Sequence, residues 1–437
     1  MTYLLNVVYL AIIALASPWL LWQGARRGKY RQGWGEKFFG RAPRRSGNSR
    51  CLWIHAVSVG EVNLLAPLIE RWERLRPGWE IVISSTTLAG FQLAQKRYSP
   101  RTVFYCPLDF SWAVTRAMKR VRPDLLVLAE LELWPNLVKA AHYRGTKVAI
   151  INGRLSDKSF RGYQRIRWLA ERVLQQVDLI LVQNDEYADR FRSLGARPDA
   201  VQVTGSMKFD GAKTDRDNVD TQRLARLAGI GSSDVVFLAG STQEPEESLA
   251  LDVYQELIAQ YPRLRLILVP RHPERFDAVA DMLNRRGVRW QRRSRLEMDR
   301  ADSAAARILL VDVVGELGAW WGTAQIAFVG GSLGQRGGQN MIEPSGYGAA
   351  VSFGPNTWNF RDVVGLLLAQ DAAVVVRDGK DMLTFVRRCA ADPAYAAELG
   401  ARARDLVLKQ QGAADRTVAM LAELAPSANR RESRHAA

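Results

Sequence analysis

The fold of this 437-residue chain is best read from the stretch Phe328-Val-Gly-Gly-Ser-Leu-Gly-Gln-Arg-Gly-Gly-Gln-Asn340-Met-Ile-Glu343-Pro344. Its apolar start, residues 326–329, is typical of a buried strand, and five glycines separate it from a helix expected to open at Asn340. Glycines let backbone N–H groups approach a ligand closely, and a helix N-terminus attracts anions. The stretch therefore predicts a phosphate or nucleotide site, although a capping box of Asn340 and Glu343 explains the same spacing without a ligand.

Short apolar runs that alternate with helix-length segments extend on both sides of this stretch. Continuous runs of Val, Ile and Leu separated by helices predict parallel sheets covered on both faces. The runs expected to be strands are 52–57, 80–84, 102–106, 125–128, 147–151, 179–182, 201–204, 235–239, 264–269, 308–311, 326–329, 350–353 and 373–376. We expect two doubly wound α/β halves, with ligands bound at the carboxyl ends of the strands in a cleft between the halves.

The expected boundaries follow from shifts in composition along the chain. Residues 1–24 are nearly all apolar, long enough for a transmembrane anchor, and residues 25–50 form a basic segment that places the rest on the cytoplasmic side. Trp19, Trp22, Tyr30 and Trp34 suit a membrane interface. The other expected parts are a first domain at 51–210, a polar linker at 211–233, a second domain at 234–425 and a disordered tail at 426–437.

Charge and cysteine content narrow the classes of partner and site. The formal net charge of +16 indicates an anionic partner, either nucleic acid, acidic lipid or a phosphorylated substrate. The chain holds three scattered cysteines and four histidines, so neither a disulfide framework nor a metal site is expected. No helix-turn-helix, RNP or zinc-finger pattern supports nucleic acid as that partner.

Glu61 is the first candidate for chemistry. It follows the expected strand at 52–57 and Gly60, where open α/β sheets present ligands, and a carboxylate there can act as general base towards a hydroxyl. The alternative is a glutamate of the first helical turn, three residues after an N-cap at Ser58.

Further polar clusters follow other strand ends. In the first half they contain Glu130, Asn152 and Lys208, which suit a polar, anionic substrate. In the second half Arg271 lies between Pro270 and His272-Pro273, so its backbone is held rigidly, and it is a candidate phosphate ligand.

In this order the motifs resemble those of the bacterial 3-deoxy-D-manno-octulosonic acid (Kdo) transferase family. The resemblance covers almost the whole chain, and seven motifs in family order make it specific. The motifs are Ser58-Val-Gly-Glu61, Glu132-Leu-Trp-Pro-Asn136, Asn152-Gly-Arg-Leu-Ser156, Gly205-Ser-Met-Lys-Phe-Asp210, Val269-Pro-Arg-His-Pro-Glu-Arg-Phe276, Gly315-Glu-Leu317 and Phe328-Val-Gly-Gly-Ser332.

The resemblance implies a GT-B glycosyltransferase that moves Kdo with inversion from CMP-Kdo to the phosphorylated lipid A precursor at the inner leaflet. It implies that Glu61 is the proton acceptor and that Glu130 and Lys208 stabilise the transition state. The CMP-contacting positions it implies are Pro270, Arg271, Val314, Gly315, Glu316, Asn340, Met341, Ile342 and Glu343. No cofactor and no metal are expected, because Arg271 and the helix start at Asn340 can stabilise a departing phosphate.

Two questions stay open at this stage. Lys158, Arg161, Arg165, Arg167 and Arg172 alternate with aromatic residues on an expected helix, which suits anionic membrane lipids or acceptor phosphates, but also a solvated face. The rival functions are a UDP-sugar transferase or sugar-nucleotide epimerase of similar build, a membrane-anchored nucleic-acid binder, and a scaffold without activity.

Overall fold

The computed structural model describes residues 2–27, 32–296 and 306–425, apart from the side chains of residues 2, 16 and 18–27. The chain divides into a first unit, residues 1–211 with 411–437, and a second unit, residues 212–410. Each unit has a seven-stranded parallel sheet, so the predicted α/β class with two parallel sheets is confirmed. The disordered tail expected at 426–437 lies outside the described residues.

The sheet of the first unit has the strand order β3-β2-β1-β4-β5-β6-β7. Every residue of β1 and β4 is buried, which is why these strands read as continuous apolar runs. The strands are β1 Cys51–His55, β2 Glu80–Ser85, β3 Thr102–Tyr105, β4 Leu125–Ala129, β5 Lys147–Gly153, β6 Leu179–Val182 and β7 Val201–Val203. The helices are α1 Thr2–Arg27, α2 Trp34–Phe39, α3 Val59–Leu75, α4 Leu88–Tyr98, α5 Ser111–Val121, α6 Pro135–Tyr143, α7 Asp157–Arg165, α8 Arg167–Leu174, α9 Asp185–Ser193 and, from the end of the chain, α18 Ala413–Leu424.

The sheet of the second unit has the order β10-β11-β9-β8-β12-β13-β14. Sequence patterns missed β10 because it is a half-buried, polar edge strand of three residues. The strands are β8 Val235–Thr242, β9 Leu264–Pro270, β10 Trp290–Arg292, β11 Ile308–Leu310, β12 Ile326–Val329, β13 Ala350–Phe353 and β14 Val374–Val375. The helices are α10 Val219–Leu227, α11 Glu246–Leu257, α12 Phe276–Arg285, α13 Leu317–Trp320, α14 Ile342–Gly346, α15 Arg361–Ala369, α16 Gly379–Ala391 and α17 Pro393–Gln410.

The first unit ends at residue 211, one residue after the expected 210, but the expected linker and the end of the chain are placed differently. Residues 212–233 of the expected linker contain α10 and belong to the second unit, where the half-buried Arg216 donates to the carbonyls of Gly322, Ala324 and Tyr347. The polar composition of this segment therefore reflects hydrogen bonding within the second unit. Helix α18, expected in the second domain, packs in the core of the first unit through Val418 and other small apolar side chains.

Helix α1 docks on the first unit along one side. The buried Asn6 amide donates to Ser111 Oγ (2.7 Å) and accepts from Ser111 N (3.0 Å), and Tyr9 Oη donates to Asp109 (3.1 Å). No helix in the part of the chain that the structure describes has the length and hydropathy needed to cross a membrane, so a spanning anchor at 1–24 is not supported. Trp19, Trp22 and Tyr30 lie outside the described side chains.

Candidate active site

Two candidate catalytic carboxylates follow neighbouring strands at the switch point of the first sheet. Strands β1 and β4 pair with each other, whereas β2 and β5 lie on their outer sides, so connections leave β1 and β4 in opposite directions. Such a point leaves a crevice at the carboxyl ends of the strands. Glu61 follows β1 and Glu130 follows β4, and the charge of Glu130 contributes to the raised pKa of Glu61. The fold thus brings these two predicted residues together.

Glu61 has the capping geometry that its sequence position predicts, and its role as a general base stays a prediction. Ser58 is the N-cap of α3, and its Oγ accepts from Glu61 N (3.3 Å), as the capping alternative predicts. The carboxylate accepts from Val57 N (2.8 Å) and Ser58 Oγ (2.7 Å), and the residue is only 8% exposed. Burial raises the pKa of Glu61, while these hydrogen bonds oppose the rise. The cap holds the carboxylate in one position, and burial raises its pKa, which suits a general base.

Glu130 lies in the left-handed backbone region, at φ 57°, directly after β4. Its N–H donates to Ile151 O (2.9 Å), so the neighbouring strand β5 fixes this unusual conformation. Among the described residues its carboxylate has no hydrogen-bond partner, in contrast with Glu61. This carboxylate is therefore available to a substrate group.

Glu132 is a titrating group that sequence patterns did not single out as a site residue. Burial first, and then the charges of Glu61 and Glu130, raise the pKa of Glu132 to about 7, although the Trp134 indole opposes the rise. Its position two residues after Glu130 in the same motif was the available signal. Glu61, Glu130 and Glu132 therefore share this edge of the sheet.

Lys208 is positioned by a buried asparagine. Asn152, at φ 52° near the end of β5, accepts from Met207 N through its side-chain oxygen (3.1 Å). Lys208 is half-buried and has no ion-pair partner among the described residues. Asp210 instead caps α18, because its carboxylate accepts from Gly412 N (2.6 Å) and Ala414 N (2.7 Å). In this motif Lys208 is thus the charged residue left for a ligand.

The second unit places Arg271 at the carboxyl end of β9. Its N–H donates to Thr242 O at the end of β8 (3.0 Å), and its side chain is exposed. Arg275 of the same motif forms an ion pair with the buried Glu247 (3.1 and 3.3 Å), so its guanidinium is not available to a ligand. Of the two arginines, only Arg271 can act as the predicted phosphate ligand.

The segment 314–316 follows β11. Glu316 makes a two-pronged ion pair with the buried Arg293 (2.8 and 2.7 Å), so its carboxylate is not available to a nucleotide. Val314 is 73% exposed, and Gly315, at φ +96°, has open space where a Cβ would stand. The predicted ligand contact therefore falls on the backbone at Val314 and Gly315, which the Arg293–Glu316 pair holds in place.

The helix expected to open at Asn340 begins later, because α14 starts at Ile342 and has five residues. The side-chain oxygen of Asn340 accepts from Ile342 N (3.0 Å), and its amide nitrogen donates to Glu343 Oε1 (3.0 Å). Asn340 and Glu343 are therefore joined through their side chains, whereas a capping box would join each side chain to the other residue's backbone N–H. Met341 is buried. Burial raises the pKa of Glu343, while Asn340 and the charge of Arg271 oppose the rise, which places Arg271 and Glu343 near each other.

The glycine-rich part of the loop does not offer the anion site that its composition predicts. The N–H groups of Gly331, Ser332 and Leu333 all donate to the carboxylate of Glu246, which follows β8. A phosphate has no access to these three donors while Glu246 holds them. The predicted phosphate contacts would therefore have to come from Arg271 and other parts of the unit, which corrects the interpretation drawn from the glycines alone.

The described residues contain no cluster of three or more His, Cys, Asp or Glu side chains placed to hold a metal ion. The expectation that the reaction needs neither metal nor cofactor stays a prediction.

Known proteins similar to this chain point to one family. The profile of the 3-deoxy-D-manno-octulosonic-acid transferase (kdotransferase) family matches residues 32–211. The 3-deoxy-D-manno-octulosonic acid transferase of Bordetella pertussis is 33% identical over 432 residues, covering 94% of this chain and 97% of the relative. The enzyme of the same name from Haemophilus influenzae is 31% identical over 383 residues, covering 86% and 88%.

Solved structures share the fold more widely than the family does. The UDP-GlcNAc 2-epimerase of Neisseria meningitidis bound to UDP-GlcNAc superposes with a TM-score of 0.58 at 13% identity, covering 86% of this chain and 100% of that one. At this identity the likeness describes the fold alone and does not favour the epimerase alternative. The transferase relatives match over nearly their whole length at more than twice that identity. This chain belongs to the 3-deoxy-D-manno-octulosonic acid transferase family.

Proposed function

We propose that the protein transfers Kdo from CMP-Kdo to the phosphorylated lipid A precursor, with inversion at the anomeric carbon. The observation that carries the proposal is the position of Glu61 in a member of this family. Its carboxylate lies at the switch point of the first sheet, fixed by Val57 N and Ser58 Oγ, with the charge of Glu130 nearby. A carboxylate held in this way can accept the proton of an attacking hydroxyl.

In the proposed step the acceptor hydroxyl loses its proton to Glu61 as its oxygen forms a bond to the anomeric carbon of Kdo. The bond between that carbon and the CMP phosphate oxygen breaks, and CMP leaves with the bonding electrons. A single displacement of this kind needs no covalent intermediate with the protein. Glu130 and Lys208 carry the role of transition-state stabilisers that the resemblance implies. Their charged groups have no partner among the described residues, as this role requires.

The nucleotide is assigned to the second unit. Arg271 supplies a planar, permanently charged donor group for the departing phosphate. The backbone at Val314 and Gly315 and the segment Asn340–Glu343 are the proposed contacts for the rest of CMP. Leaving-group stabilisation by Arg271 makes the reaction independent of a metal, so turnover in excess EDTA is expected to equal turnover in added Mg²⁺.

The acceptor is amphipathic, and the first unit carries both surfaces that such a molecule needs. Tyr3, Leu4, Val7 and Leu15 of α1 are each more than 60% exposed. An apolar cavity of about 120 Å³ opens beside this helix, lined by Tyr9, Ile12, Ile13, Leu108, Asp109, Phe110 and Trp134. We propose that α1 lies against the cytoplasmic face of the inner membrane and brings this cavity close to the acyl chains.

The basic residues of α7 and α8 complete this proposed membrane face. The chain breaks into two helices at Ile166, and the aromatic side chains divide there: Phe160 and Tyr163 pack on the core, whereas Trp168 is 54% exposed. Arg161, Arg165 and Arg167 are exposed beside it. Anionic lipids or acceptor phosphates are the proposed partners of this basic group.

Vesicle binding tests the membrane proposal. Changing Arg161, Arg165 and Arg167 together to Gln is expected to weaken co-sedimentation with vesicles containing phosphatidylglycerol. The matched control changes the exposed Lys96, Arg226 and Arg285 to Gln, which removes the same charge elsewhere. Equal binding by both triple variants would contradict a specific membrane face on α7 and α8.

Mass spectrometry tests the function directly. The detergent-solubilised protein is incubated with CMP-Kdo and tetraacylated lipid A precursor, and the lipid products are weighed. A mass gain of one or more Kdo units is expected, whereas UDP-GlcNAc in place of CMP-Kdo is expected to give none. An unchanged lipid with CMP-Kdo, or a gain with UDP-GlcNAc alone, would overturn the assignment.

A further inference from the structure

Glu246 is a fully buried carboxylate in the second unit that the proposed reaction does not use. It begins α11, directly after the turn that follows β8, and is 1% exposed. Strand β12 is hydrogen-bonded to β8, with Val329 opposite Gly240. The loop that leaves β12 therefore passes beside this carboxylate, 85 residues further along the chain.

Four backbone N–H groups fill every acceptor position of the Glu246 carboxylate. Oε1 accepts from Ser332 N (3.0 Å) and Leu333 N (3.0 Å), and Oε2 accepts from Gly331 N (2.7 Å) and Gln243 N (2.9 Å). Burial raises the pKa of Glu246, and the four donors oppose the rise. Each oxygen already accepts two bonds, so no position is left for a proton and the group is charged.

The glycines at the start of the loop are explained by this carboxylate. A Cβ on Gly330 would stand 2.6 Å from Thr242 Cα and 2.7 Å from Glu246 Oε2. Gly331, at φ +65°, turns the chain so that three successive N–H groups point at one place. Successive N–H groups in such a turn form a concave anion site. The loop thus has an anion site, and its own chain supplies the anion.

We infer that Glu246 is a positioning residue: it fills the anion site of residues 331–333 and thereby fixes the course of the loop to Asn340 and Glu343. The loop is anchored at its start by Glu246 and returns when Gly338 N donates to Gly331 O (2.8 Å), the residue that Glu246 holds. Two residues later Asn340 and Glu343 bind each other. The inference rests on the proposed function, in which these residues contact CMP.

A positioning role and a purely structural role have different kinetic signatures. If Glu246 places a nucleotide-binding segment, its loss weakens ground-state and transition-state binding alike, so KM for CMP-Kdo rises while kcat stays close to wild type. If Glu246 only supports the fold, its loss reduces the amount of active protein, so apparent kcat falls while KM stays unchanged.

The test uses Glu246→Ala and free acetate. Alanine removes a CH2–carboxylate group, which acetate matches in size and charge, and it leaves four buried N–H donors without partners. We expect KM for CMP-Kdo to rise about tenfold or more, and sodium acetate to restore it where sodium chloride of equal ionic strength does not. The dissociation constant for CMP, measured by calorimetry, is expected to follow the same pattern.

Two further variants make the result specific. Glu247→Ala removes the next carboxylate on α11, which is 2% exposed and binds Arg275, and acetate is expected to leave it unrestored. Glu246→Gln keeps the site filled but sets an amide NH2 against backbone N–H groups, so KM is expected to rise without acetate rescue.

An unchanged KM in both Glu246 variants, or equal responses of Glu246→Ala to acetate and chloride, would overturn the inference. If Glu246→Ala folds poorly, the yield of folded protein purified in acetate is measured instead of KM. A yield in chloride equal to the yield in acetate would also overturn the inference. Wild-type protein that fails to bind CMP or transfer Kdo would refute the proposed function instead. The acetate-dependent melting midpoint of Glu246→Ala would still test the anion site.

Discussion

Glu61 and Glu246 are two buried carboxylates, each placed just after a strand at the centre of its own sheet, yet their surroundings differ. Glu61 accepts one backbone and one hydroxyl hydrogen bond, and its backbone partner belongs to its own turn. Glu246 accepts four backbone bonds, three of them from a distant loop. The donor count separates a carboxylate that can still take up a proton from one that holds structure together.

The largest expected effect is on the rate of transfer by Glu61→Gln. Without a proton acceptor kcat should fall by about a hundredfold or more, while the dissociation constant for CMP stays at the wild-type value because CMP is assigned to the other unit. Single-turnover transfer and calorimetry measure the two quantities. Near-normal turnover would remove the distinction between the two carboxylates, since Glu61 would then also be structural.

The reverse pattern is expected for the free energy of unfolding. Glu246→Gln leaves buried N–H groups facing an amide and should lose about 2–3 kcal/mol, whereas Glu61→Gln should lose little, because it removes a carboxylate whose pKa burial has raised. Denaturant unfolding of each variant checks this. Equal losses would show that the number of donors does not decide the role of a buried carboxylate here.

The pH dependence sharpens the comparison through Glu132. Folded protein keeps the proton of Glu132 up to a pKa of about 7, whereas the unfolded chain loses it near 4.3. The folded state therefore binds more protons in between, and stability falls as pH rises through this window. Glu132→Gln should melt a few degrees above wild type at pH 8 and at the same temperature at pH 4. A constant difference across pH would contradict the assignment.

The smallest effect is expected at Asp210, a carboxylate with two backbone donors that caps a helix. Asp210→Ala should lose about 1 kcal/mol of stability, and Asp210→Asn less, because its amide oxygen still accepts one bond. Thermal melting of both variants at equal concentration measures the loss. A loss as large as that of Glu246→Gln would mean that the location of the donors matters more than their number.

Local patterns predicted most of the fold, because apolar runs mark thirteen of the fourteen strands in the described residues, and most of these strands are buried. They failed where the deciding contact is distant in sequence. The polar segment 211–233 reads as a linker until Arg216 is seen to bind carbonyls more than 100 residues away. The glycines of 330–338 predict a ligand when they are read alone. Their actual partner, Glu246, lies in the turn after β8 and cannot be recognised from the local sequence. The position of Glu61 could be predicted from the sequence because its N-cap and its strand lie within ten residues of it.

The return of α18 to the first unit has a consequence for biosynthesis. The core that surrounds β1 and β2 includes Ala413, Ala414, Val418 and Leu421, and Asp210 needs Gly412 and Ala414 as donors. A ribosome delivers these residues only after the whole second unit has been synthesised. The first unit therefore cannot complete its core while residues 1–211 are being synthesised and must wait, with that side uncovered, until translation reaches α18. Stalled or prematurely terminated chains should be recognised by chaperones and proteases through this uncovered face of the first unit, even when the second unit is already folded.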